Sequence, residues 1–425
     1  MITKTDVAIA GSGPAGLMSA ITAAREGASV IVFEQKDRAA SKLYATGNGR
    51  CNFTNLKMTE GVYRGGAQEL AYEAVETFDN NDLIGFFNDL GLITKHIGDY
   101  VYPYNEQASA VVSALMTECI RLGVKVHTSE KVIDIIRDDD SFTVSTDKGK
   151  YECISFVMAP GGKASPAHGS DGNLNKVIRK LGHTIIPQEP ALVPLIFSEK
   201  SLSVLAGVRL KCGVTLEISY ETQNAGAPDE VYSEQGEIIF NRDNISGIPV
   251  MQLSRYAVCK MVKGAGALIK LDLFPEYSQT ETYDLVKWAF RTWGDKNRNG
   301  AVALSLCVNE KLAEYIIGNT GKKAYEFTDD EIKKISTLLK SFPVRITGNA
   351  GFSRAQVTAG GVDGQQIDGE TMGSRLCKGL YFCGEIIDTD GTCGGYNLHF
   401  AFASGRIAGR SAALHTRAVK DDSLV

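Results

Sequence analysis

The chain has 425 residues, of which 44% are hydrophobic and 22% charged. This composition is typical of a globular protein of about two or three domains. A formal net charge of −5 provides no basic surface for a polyanion, so we expect no nucleic-acid partner. No apolar run approaches the roughly eighteen residues of a membrane span, and no signal-peptide pattern opens the chain. We therefore expect a cytoplasmic protein without a membrane partner.

Nine cysteines are scattered from Cys51 to Cys393, and no two of them form a C-x-x-C pair. Their spacing argues against a redox dithiol, an iron–sulfur cluster and a structural zinc site. We expect no metal, and we expect most of the thiols to be buried and reduced.

The stretch from Asp6 to Glu34 has the pattern of a strand, a glycine turn, a helix and a second strand that ends in an acid. Gly11 suits the tight turn, Gly13 the close approach of a pyrophosphate, and Gly16 the packing of the helix on the strand. The pyrophosphate would bind the free N–H groups that open the helix. Glu34 is placed to accept hydrogen bonds from ribose hydroxyls, which favours a nucleotide without a 2′-phosphate.

Two further glycine-rich segments predict close approach of the backbone to a ligand. The loop from Lys42 to Asn55 is too rich in glycine, asparagine and small polar residues for a helix or strand, and Arg50 lies within it. The apolar strand from Cys153 to Ala159 runs into Pro160, Gly161 and Gly162. A solvated loop remains the alternative interpretation of the first segment.

The end of the chain returns to nucleotide-binding chemistry. A strand from Leu380 to Cys383 ends at Gly384 and Glu385, and Asp388 follows. The segment 391–397 then opens a helix predicted to run to about Leu414. A carboxylate at a strand end can hold polyol hydroxyls, and a helix N-terminus stabilises the negative charge of a reduced flavin. One pyrophosphate turn and one ring site at opposite ends of the chain indicate FAD.

Between these parts the pattern changes. Alternating runs at Val208–Ile218, 237–240 and 267–273 predict an antiparallel sheet, and helical periodicity appears at 280–293, 301–317 and 328–339. No second G-x-G-x-x-G occurs here, so we interpret the region as an insert.

Three segments resemble a bacterial FAD-dependent flavoprotein family that includes aminoacetone oxidase and the bile-acid Δ4,6-enone reductase. They are the arginine-cysteine-asparagine loop 45–52, the segment 357–362, and 379–398 with its Gly-Gly-Tyr-Asn motif. The similarity spans nearly the whole chain. Where members of the family often carry glutamine and tryptophan after the asparagine-leucine pair, this chain has His399 and Phe400.

The resemblance implies an α/β fold: a glutathione-reductase-like Rossmann FAD-binding domain with an inserted β-rich domain and a small helical domain. We expect the FAD-binding domain at 1–192 and 345–425, the β-rich domain at 193–275 with part of 318–344, and the helical domain at 276–344. The candidate cofactor-binding residues are Gly11, Gly13, Pro14, Ala15, Gly16, Glu34, Gln35, Lys36, Lys42, Thr46, Gly47, Asn48, Gly49, Arg50, Cys51, Asn52, Val132, Gly161, Gly162, Gly384, Glu385, Asp388, Gly395, Tyr396, Asn397 and Leu398.

A flavin carries out the electron chemistry, so the protein needs to supply orientation, electrostatics and one proton. Candidate proton donors are His399, Cys51, Cys393, Tyr102 and Tyr396, while Arg50 can pair with a carboxylate substrate or with flavin oxygens. For His399 a packing role is the alternative. The candidate catalytic residues are thus His399, Arg50, Cys51 and Tyr396.

The leading functional hypothesis is an oxidoreductase that passes hydride from NAD(P)H, a transient co-substrate, through FAD to a conjugated, enone-like small molecule. An oxidase of a small amine or aminoketone that uses oxygen is the second hypothesis. A flavin-dependent RNA-modifying protein is the alternative from another class, and the acidic balance argues against it.

Overall fold

The structure, a computed structural model, describes residues 2–220, 228–294 and 298–422. The described chain forms two compact units, Met1–Glu189 with Gln356–Val425 and Pro190–Ala355. The division into three domains stays a prediction, and its stretches 221–227, 295–297 and 423–425 lie outside the described residues.

Twenty strands and eleven α-helices lie within the described residues. The strands are β1 Thr3–Ala10, β2 Val30–Phe33, β3 Thr54–Asn55, β4 Tyr63–Arg64, β5 Thr94–Ile97, β6 Tyr100–Pro103, β7 Lys125–His127, β8 Val132–Asp138, β9 Ser141–Thr146, β10 Lys150–Met158, β11 Glu189–Ala191, β12 Leu195–Phe197, β13 Arg209–Ser219, β14 Glu230–Phe240, β15 Asn244–Ser246, β16 Gly266–Asp272, β17 Phe342–Asn349, β18 Val357–Ala359, β19 Leu380–Phe382 and β20 Asp390–Gly391. The helices are α1 Pro14–Arg25, α2 Gln68–Thr77, α3 Asn80–Asp89, α4 Ala108–Arg121, α5 Asn175–Lys180, α6 Ile248–Met261, α7 Gln279–Gly294, α8 Gly300–Leu304, α9 Glu310–Ile317, α10 Asp329–Lys340 and α11 Tyr396–Asp422.

The first unit is built on a sheet whose central strands are parallel. β1 pairs in parallel with β2 and β10, β2 with β7, and β10 with β19. The ends of three strands are in register, since Ala10 lies opposite Met158 and Met158 opposite Phe382. Their apolar side chains are buried on both faces, as expected for parallel strands. The glycine turns after β1, β10 and β19 therefore meet at one edge of the sheet. β8 and β9 form an antiparallel arm.

Helices α1 and α11 pack directly against each other because small residues line their contact. A Cβ built on Gly405 would lie 2.4 Å from the carbonyl oxygen of Ala15, and one on Gly409 would lie 2.3 Å from that of Ser19. The Ser19 hydroxyl donates to the carbonyl oxygen of Gly405 at 2.7 Å. This close approach joins the two ends of the chain in one unit. α11 ends at Asp422, beyond the predicted Leu414.

The second unit contains a closed barrel of the strands β12-β15-β14-β13-β16-β17. Its pairings are antiparallel, which confirms the sheet predicted from the alternating runs. Buried side chains such as Val214, Leu216 and Ile218 alternate along β13 with less buried ones, so every second side chain contributes to the packed interior.

Helices α7 to α10 pack around a separate apolar cluster that includes Val286, Phe290 and Leu339. The predicted helix over 301–317 is divided into α8 and α9. Asn309 marks the start of α9. Its side chain accepts a hydrogen bond from the N–H of Lys311 at 3.1 Å and so caps the helix.

Among the described residues, none of the helices has both the length and the apolar composition that a membrane span requires.

Candidate functional site

The turn between β1 and α1 is shaped by three glycines with different surroundings. Gly11 has φ +100°, and a Cβ on it would lie 2.2 Å from the carbonyl oxygen of Ala159. A Cβ on Gly16 would lie 1.9 Å from the carbonyl oxygen of Gly11. Around Gly13, by contrast, no heavy atom lies within 4 Å of the position of a Cβ. Gly11 and Gly16 thus allow backbone segments to approach each other closely, whereas Gly13 faces open space.

Helix α1 begins with Pro14 after Gly13, and no side chain caps its first N–H groups. Pro14 suits this place because its fixed φ matches the first turn of a helix. The uncapped N–H groups of the first turn and the positive end of the helix dipole favour an anion. The open space at Gly13 and the uncapped helix start fit the diphosphate of FAD.

Glu34 is buried at the end of β2 and is held by the same turn. One oxygen of its carboxylate accepts from the Ser12 hydroxyl at 2.6 Å and from the Ser12 N–H at 3.1 Å, and the other accepts from the N–H of Lys36 at 2.9 Å. A carboxylate has about four acceptor positions, so one position remains for a ribose hydroxyl. Gln35 donates to the carbonyl oxygen of Gly169, which fixes the neighbouring loop. Val132 is buried at the start of β8.

Lys42 and Glu385, distant in sequence, form an ion pair of 2.6 Å. The other carboxylate oxygen of Glu385 accepts from the N–H and the hydroxyl of Thr358, each at 2.9 Å. The Thr358 hydroxyl oxygen in turn accepts from the N–H groups of Lys163 at 2.8 Å and Ala164 at 3.0 Å. A Cβ on Gly162 would lie 2.3 Å from this hydroxyl oxygen. Thr358 therefore joins the segments after β10 and β19.

Thr358 was absent from the predicted site. In the sequence, Thr358 is only one residue of the segment 357–362. Its role depends on hydrogen-bond partners that are distant in sequence, so the sequence did not reveal it.

The predicted loop forms short 3₁₀ turns over Leu43–Gly49, interrupted where Thr46, Gly47 and Asn48 leave the helical conformation. The N–H of Cys51 donates to the carbonyl oxygen of Thr46 at 3.1 Å, and that of Arg50 donates to Gly47 at 3.2 Å. Gly49, with φ +83°, continues the turn. The loop is thus held by its own backbone.

Asn52 brings this loop to the turn before α11. A Cβ on Gly395 would lie 2.9 Å from Oδ1 of Asn52 and 2.7 Å from the carbonyl oxygen of Thr54. Oδ1 of Asn52 is buried, and the described residues supply no hydrogen-bond donor for it. A buried acceptor without a donor is costly, so this oxygen fits a ligand N–H.

The turn that opens α11 is closed by Asn397, whose side chain accepts from the N–H of Gly391 at 2.8 Å and donates to its carbonyl oxygen at 2.7 Å. Gly384 lies beside the first turn of α1, because a Cβ on it would lie 2.8 Å from Cβ of Ala15. The Asp388 carboxylate accepts from the N–H of Gly66 at 3.0 Å, so it holds this loop. Leu398 follows as the third residue of α11.

His399 was predicted as a proton donor, and its surroundings argue against that role. The imidazole has no exposed surface. Its Nδ1 lies 2.8 Å from the Thr54 hydroxyl, and its Nε2 lies 2.8 Å from the carbonyl oxygen of Phe78. Burial lowers the pKa of His399, so the ring is neutral near pH 7. Both ring nitrogens are used to join β3, α11 and the end of α2, which supports the packing role.

Three of the other proposed proton donors, Cys51, Tyr102 and Tyr396, are also buried, whereas Cys393 is half-buried. Cys51 is buried, and burial raises the pKa of its thiol to about 12, so a thiolate is disfavoured. Tyr396 is buried and donates to the carbonyl oxygen of Lys57 at 2.9 Å. The Arg50 guanidinium lies 5.2 Å from the ring centre of the buried Tyr102 and 3.5 Å from Glu106. Arg50 is thus already paired with a carboxylate and an aromatic ring.

The residues that the structure brings together form two linked places at one sheet edge. One is the Gly11–Gly16 turn with Glu34, and the other is the Lys42–Glu385–Thr358 cluster with the turn that opens α11. The contact between Ala15 and Gly384 joins them. Gly161, with φ +76°, belongs to the strand end between them.

Comparison with known proteins gives a family for the whole chain. The family model described as "HI0933-like protein Rossmann domain" matches residues 5–411. A 3-dehydro-bile acid delta(4,6)-reductase of Clostridium scindens is 33% identical, covering 96% of this chain and 98% of the relative. A ribosomal RNA dihydrouridine synthase of Escherichia coli is 27% identical, covering 94% of this chain and 96% of the relative.

Among solved structures, a 3-ketosteroid-delta4-(5alpha)-dehydrogenase from Rhodococcus jostii RHA1 is similar at 15% identity and a TM-score of 0.47, covering 97% of each chain. The match to the family model covers nearly all of the sequence and includes the turn after β1, the loop 42–55 and the opening of α11. The chain therefore belongs to the HI0933-like family of FAD-binding Rossmann oxidoreductases.

Proposed function

We propose that the protein is an FAD-dependent reductase that takes hydride from NADH or NADPH. It delivers the hydride to a carbon–carbon double bond conjugated with a carbonyl group in a small organic acceptor. The relative at 33% identity is named as a reductase of such a conjugated system in a bile acid. Dihydrouridine, the product in the name of the other two relatives, is a nucleoside that differs from uridine by saturation of one conjugated double bond. Both names thus describe the reduction of a carbon–carbon double bond conjugated with a carbonyl group.

The observation that carries the proposal is that the Gly11–Gly16 turn and the Gly384–Glu385 turn, which leads into α11, meet at one sheet edge. An extended dinucleotide such as FAD suits two such places, with its diphosphate at Gly13 and its ring near Gly395. Lys42, Glu385 and Thr358 would hold the polyol part. Bound FAD would supply the hydride transfer.

The residues of the chain would supply binding and charge stabilisation. The N-terminal end of α11 carries a positive partial charge, which stabilises negative charge by about 0.3 to 1 kcal/mol, and more where it is partly buried. Asn52 offers its buried oxygen to a ring N–H. The closed packing around His399 and Tyr396 excludes water from the inner side of this turn.

NADH or NADPH would act as a transient reductant. The sequence has one G-x-G-x-x-G turn, and FAD would occupy it. The nicotinamide would therefore bind beside the flavin, transfer its hydride and leave before the acceptor binds. Oxygen replaces the enone as acceptor in the alternative oxidase, which would use a small amine or aminoketone as the donor.

Reduction of uridine in RNA is the second candidate, and the two relatives named as ribosomal RNA dihydrouridine synthases favour it. The net charge of −5 favours the small acceptor instead, because RNA binding depends on an excess of cationic side chains.

Anaerobic turnover tests the proposal. The FAD-loaded protein is mixed with NADH or with NADPH, and the visible flavin band is followed before and after addition of a panel of enones. We expect one nicotinamide to bleach the band and an enone to restore it. A band that neither nicotinamide bleaches contradicts the proposed electron donor. Reoxidation by unmodified ribosomal RNA but by no enone would favour the second candidate.

A further inference from the structure

The small sheet β5-β6-β3 presents several large side chains on one face. In the register of its strands, Lys95 lies opposite Tyr102, and Ile97 lies opposite Tyr100. Directly opposite residues share a face, as do alternate residues along a strand. The N–H of Tyr104 donates to the carbonyl oxygen of Ile93 at 2.8 Å and extends this pattern. We call this surface the tyrosine face and define it as Asn55, Ile93, Lys95, Ile97, Tyr100, Tyr102 and Tyr104.

The tyrosine face borders the turn that opens α11. Asn55 lies opposite Tyr100 on the neighbouring strand, and its side-chain amide donates to the carbonyl oxygen of Gly394 at 3.0 Å. A Cβ on Gly394 would lie 3.0 Å from Cε1 of Tyr100 and 3.0 Å from Cε2 of Tyr396. The ring of Tyr100 is therefore in contact with the segment that we assign to the flavin ring.

Much of this face is apolar and open to solvent. The exposed fractions are 70% for Ile93, 46% for Ile97, 37% for Tyr100 and 63% for Tyr104. Neighbouring exposed apolar and aromatic side chains of this kind mark binding surfaces more often than isolated ones do.

The cations near the face already have partners. Glu106 accepts from Lys95 at 2.7 Å and from Arg50 at 3.5 Å. The Lys95 ammonium also lies 5.4 Å from the ring centre of Tyr104. With both cations paired, the face offers no excess positive charge to a polyanion, which favours an uncharged ring system over RNA.

Tyr100 differs from the two buried tyrosines beside it. Tyr102 lies beneath Arg50, and the Tyr396 hydroxyl is bonded to Lys57. The ring of Tyr100 is partly exposed, and we find no hydrogen bond from its hydroxyl to the described residues. Partial burial raises the pKa of Tyr100 above its ordinary value, so the phenol stays protonated near pH 7.

We propose that the tyrosine face binds the ring system of the acceptor and that Tyr100 determines specificity for uncharged, apolar, multi-ring enones. The inference rests on the proposed function because it takes an enone as the acceptor. Tyr100 would pack against the ring nearest the α11 turn, while Ile97 and Tyr104 extend the contact to the more distant rings.

Equilibrium binding tests this inference without turnover. The oxidised, FAD-loaded protein is titrated calorimetrically with 4-androstene-3,17-dione, a four-ring enone, in the absence of a reductant. Tyr100→Ala is expected to raise the Kd by about tenfold, because an aromatic contact and its buried area are lost. Tyr100→Phe is expected to stay within about twofold of the wild type, since the ring remains. Tyr325→Ala, at an exposed tyrosine of the second unit, is the matched control.

Thermal unfolding and bound FAD are measured for each variant, and both should equal those of the wild type because Tyr100 is partly exposed. Unchanged affinity in Tyr100→Ala overturns the inference, and so does a wild type that binds a short uridine oligonucleotide but not the steroid. The anaerobic flavin assay separates the two proposals: enone turnover with unchanged binding in Tyr100→Ala overturns only the inference. A tenfold binding loss in a protein that reduces no enone supports the tyrosine face and contradicts the proposed function.

Discussion

Replacing Gly13 by alanine separates cofactor binding from folding. The backbone of Gly13 has φ −69° and ψ −177°, which alanine adopts without strain, and no atom lies within 4 Å of the added Cβ. The apoprotein should therefore stay within about 1 kcal/mol of the wild-type stability, because alanine restricts the unfolded chain but is a poorer helix N-cap than glycine. The new methyl group, however, would occupy the space assigned to the diphosphate.

The size of the effect on FAD follows from the contacts that would be lost. A hydrogen bond between a backbone N–H and a charged phosphate contributes about 1.5 to 3 kcal/mol. Displacing the diphosphate from one such bond would weaken FAD binding by about tenfold to a hundredfold. FAD affinity is measured by titrating the flavin-free protein with FAD and recording the quenching of flavin fluorescence.

Two glycine variants make the comparison specific. Gly85 lies inside α3 with nothing within 4 Å of a Cβ, so Gly85→Ala should leave FAD affinity unchanged. Gly16→Ala places a Cβ 1.9 Å from the carbonyl oxygen of Gly11 and should destabilise the apoprotein by about 1 to 3 kcal/mol. If Gly13→Ala binds FAD with wild-type affinity, the diphosphate does not approach this glycine and the assignment of the turn is wrong.

His399→Ala should lower the free energy of unfolding by about 2 to 4 kcal/mol, because it leaves a cavity and unpaired groups at Thr54 and Phe78; in chemical denaturation, a loss below 0.5 kcal/mol would contradict the packing role. Thr358→Val should lower the free energy of unfolding, again measured by chemical denaturation, by about 1 to 3 kcal/mol, because two backbone N–H groups lose their acceptor. A variant as stable as the wild type would contradict this role of Thr358. Hydrogen bonds from Arg121 and Arg25 hold the pKa of the buried Glu118 at about 2, below its ordinary 4.5, so its stabilisation is present above about pH 4.5 and is lost as the pH falls towards 2. Glu118→Gln should therefore be less stable than the wild type by up to about 3 kcal/mol at pH 7, and the difference should shrink in acid; a pH-independent difference would contradict this cause.

The parts of the fold that depend on neighbours in sequence were predicted best. The strand, turn, helix and strand from Asp6 to Glu34 are found as β1, α1 and β2, because glycine spacing and apolar runs act locally.

The surroundings of the site residues could not be derived in this way. His399 was a reasonable proton donor as an imidazole near a helix start, but its partner Thr54 is 345 residues away in sequence. Thr358 and Tyr100 were missed for the same reason. Thr358 stands in a segment that carries the family resemblance, but nothing in that segment indicates a role for its side chain. Both residues acquire their positions only when segments distant in sequence pack together.

The proposed function requires that flavin held by this chain reduces a conjugated double bond. A single-turnover experiment tests it without an assumption about the natural reductant. The FAD-loaded protein is reduced anaerobically with one equivalent of dithionite, mixed with 4-androstene-3,17-dione or another enone, and analysed by flavin absorbance and product mass. We expect the visible band to return as one saturated product forms per flavin. A flavin that remains reduced with every enone, and is reoxidised only when oxygen is admitted, would contradict the account.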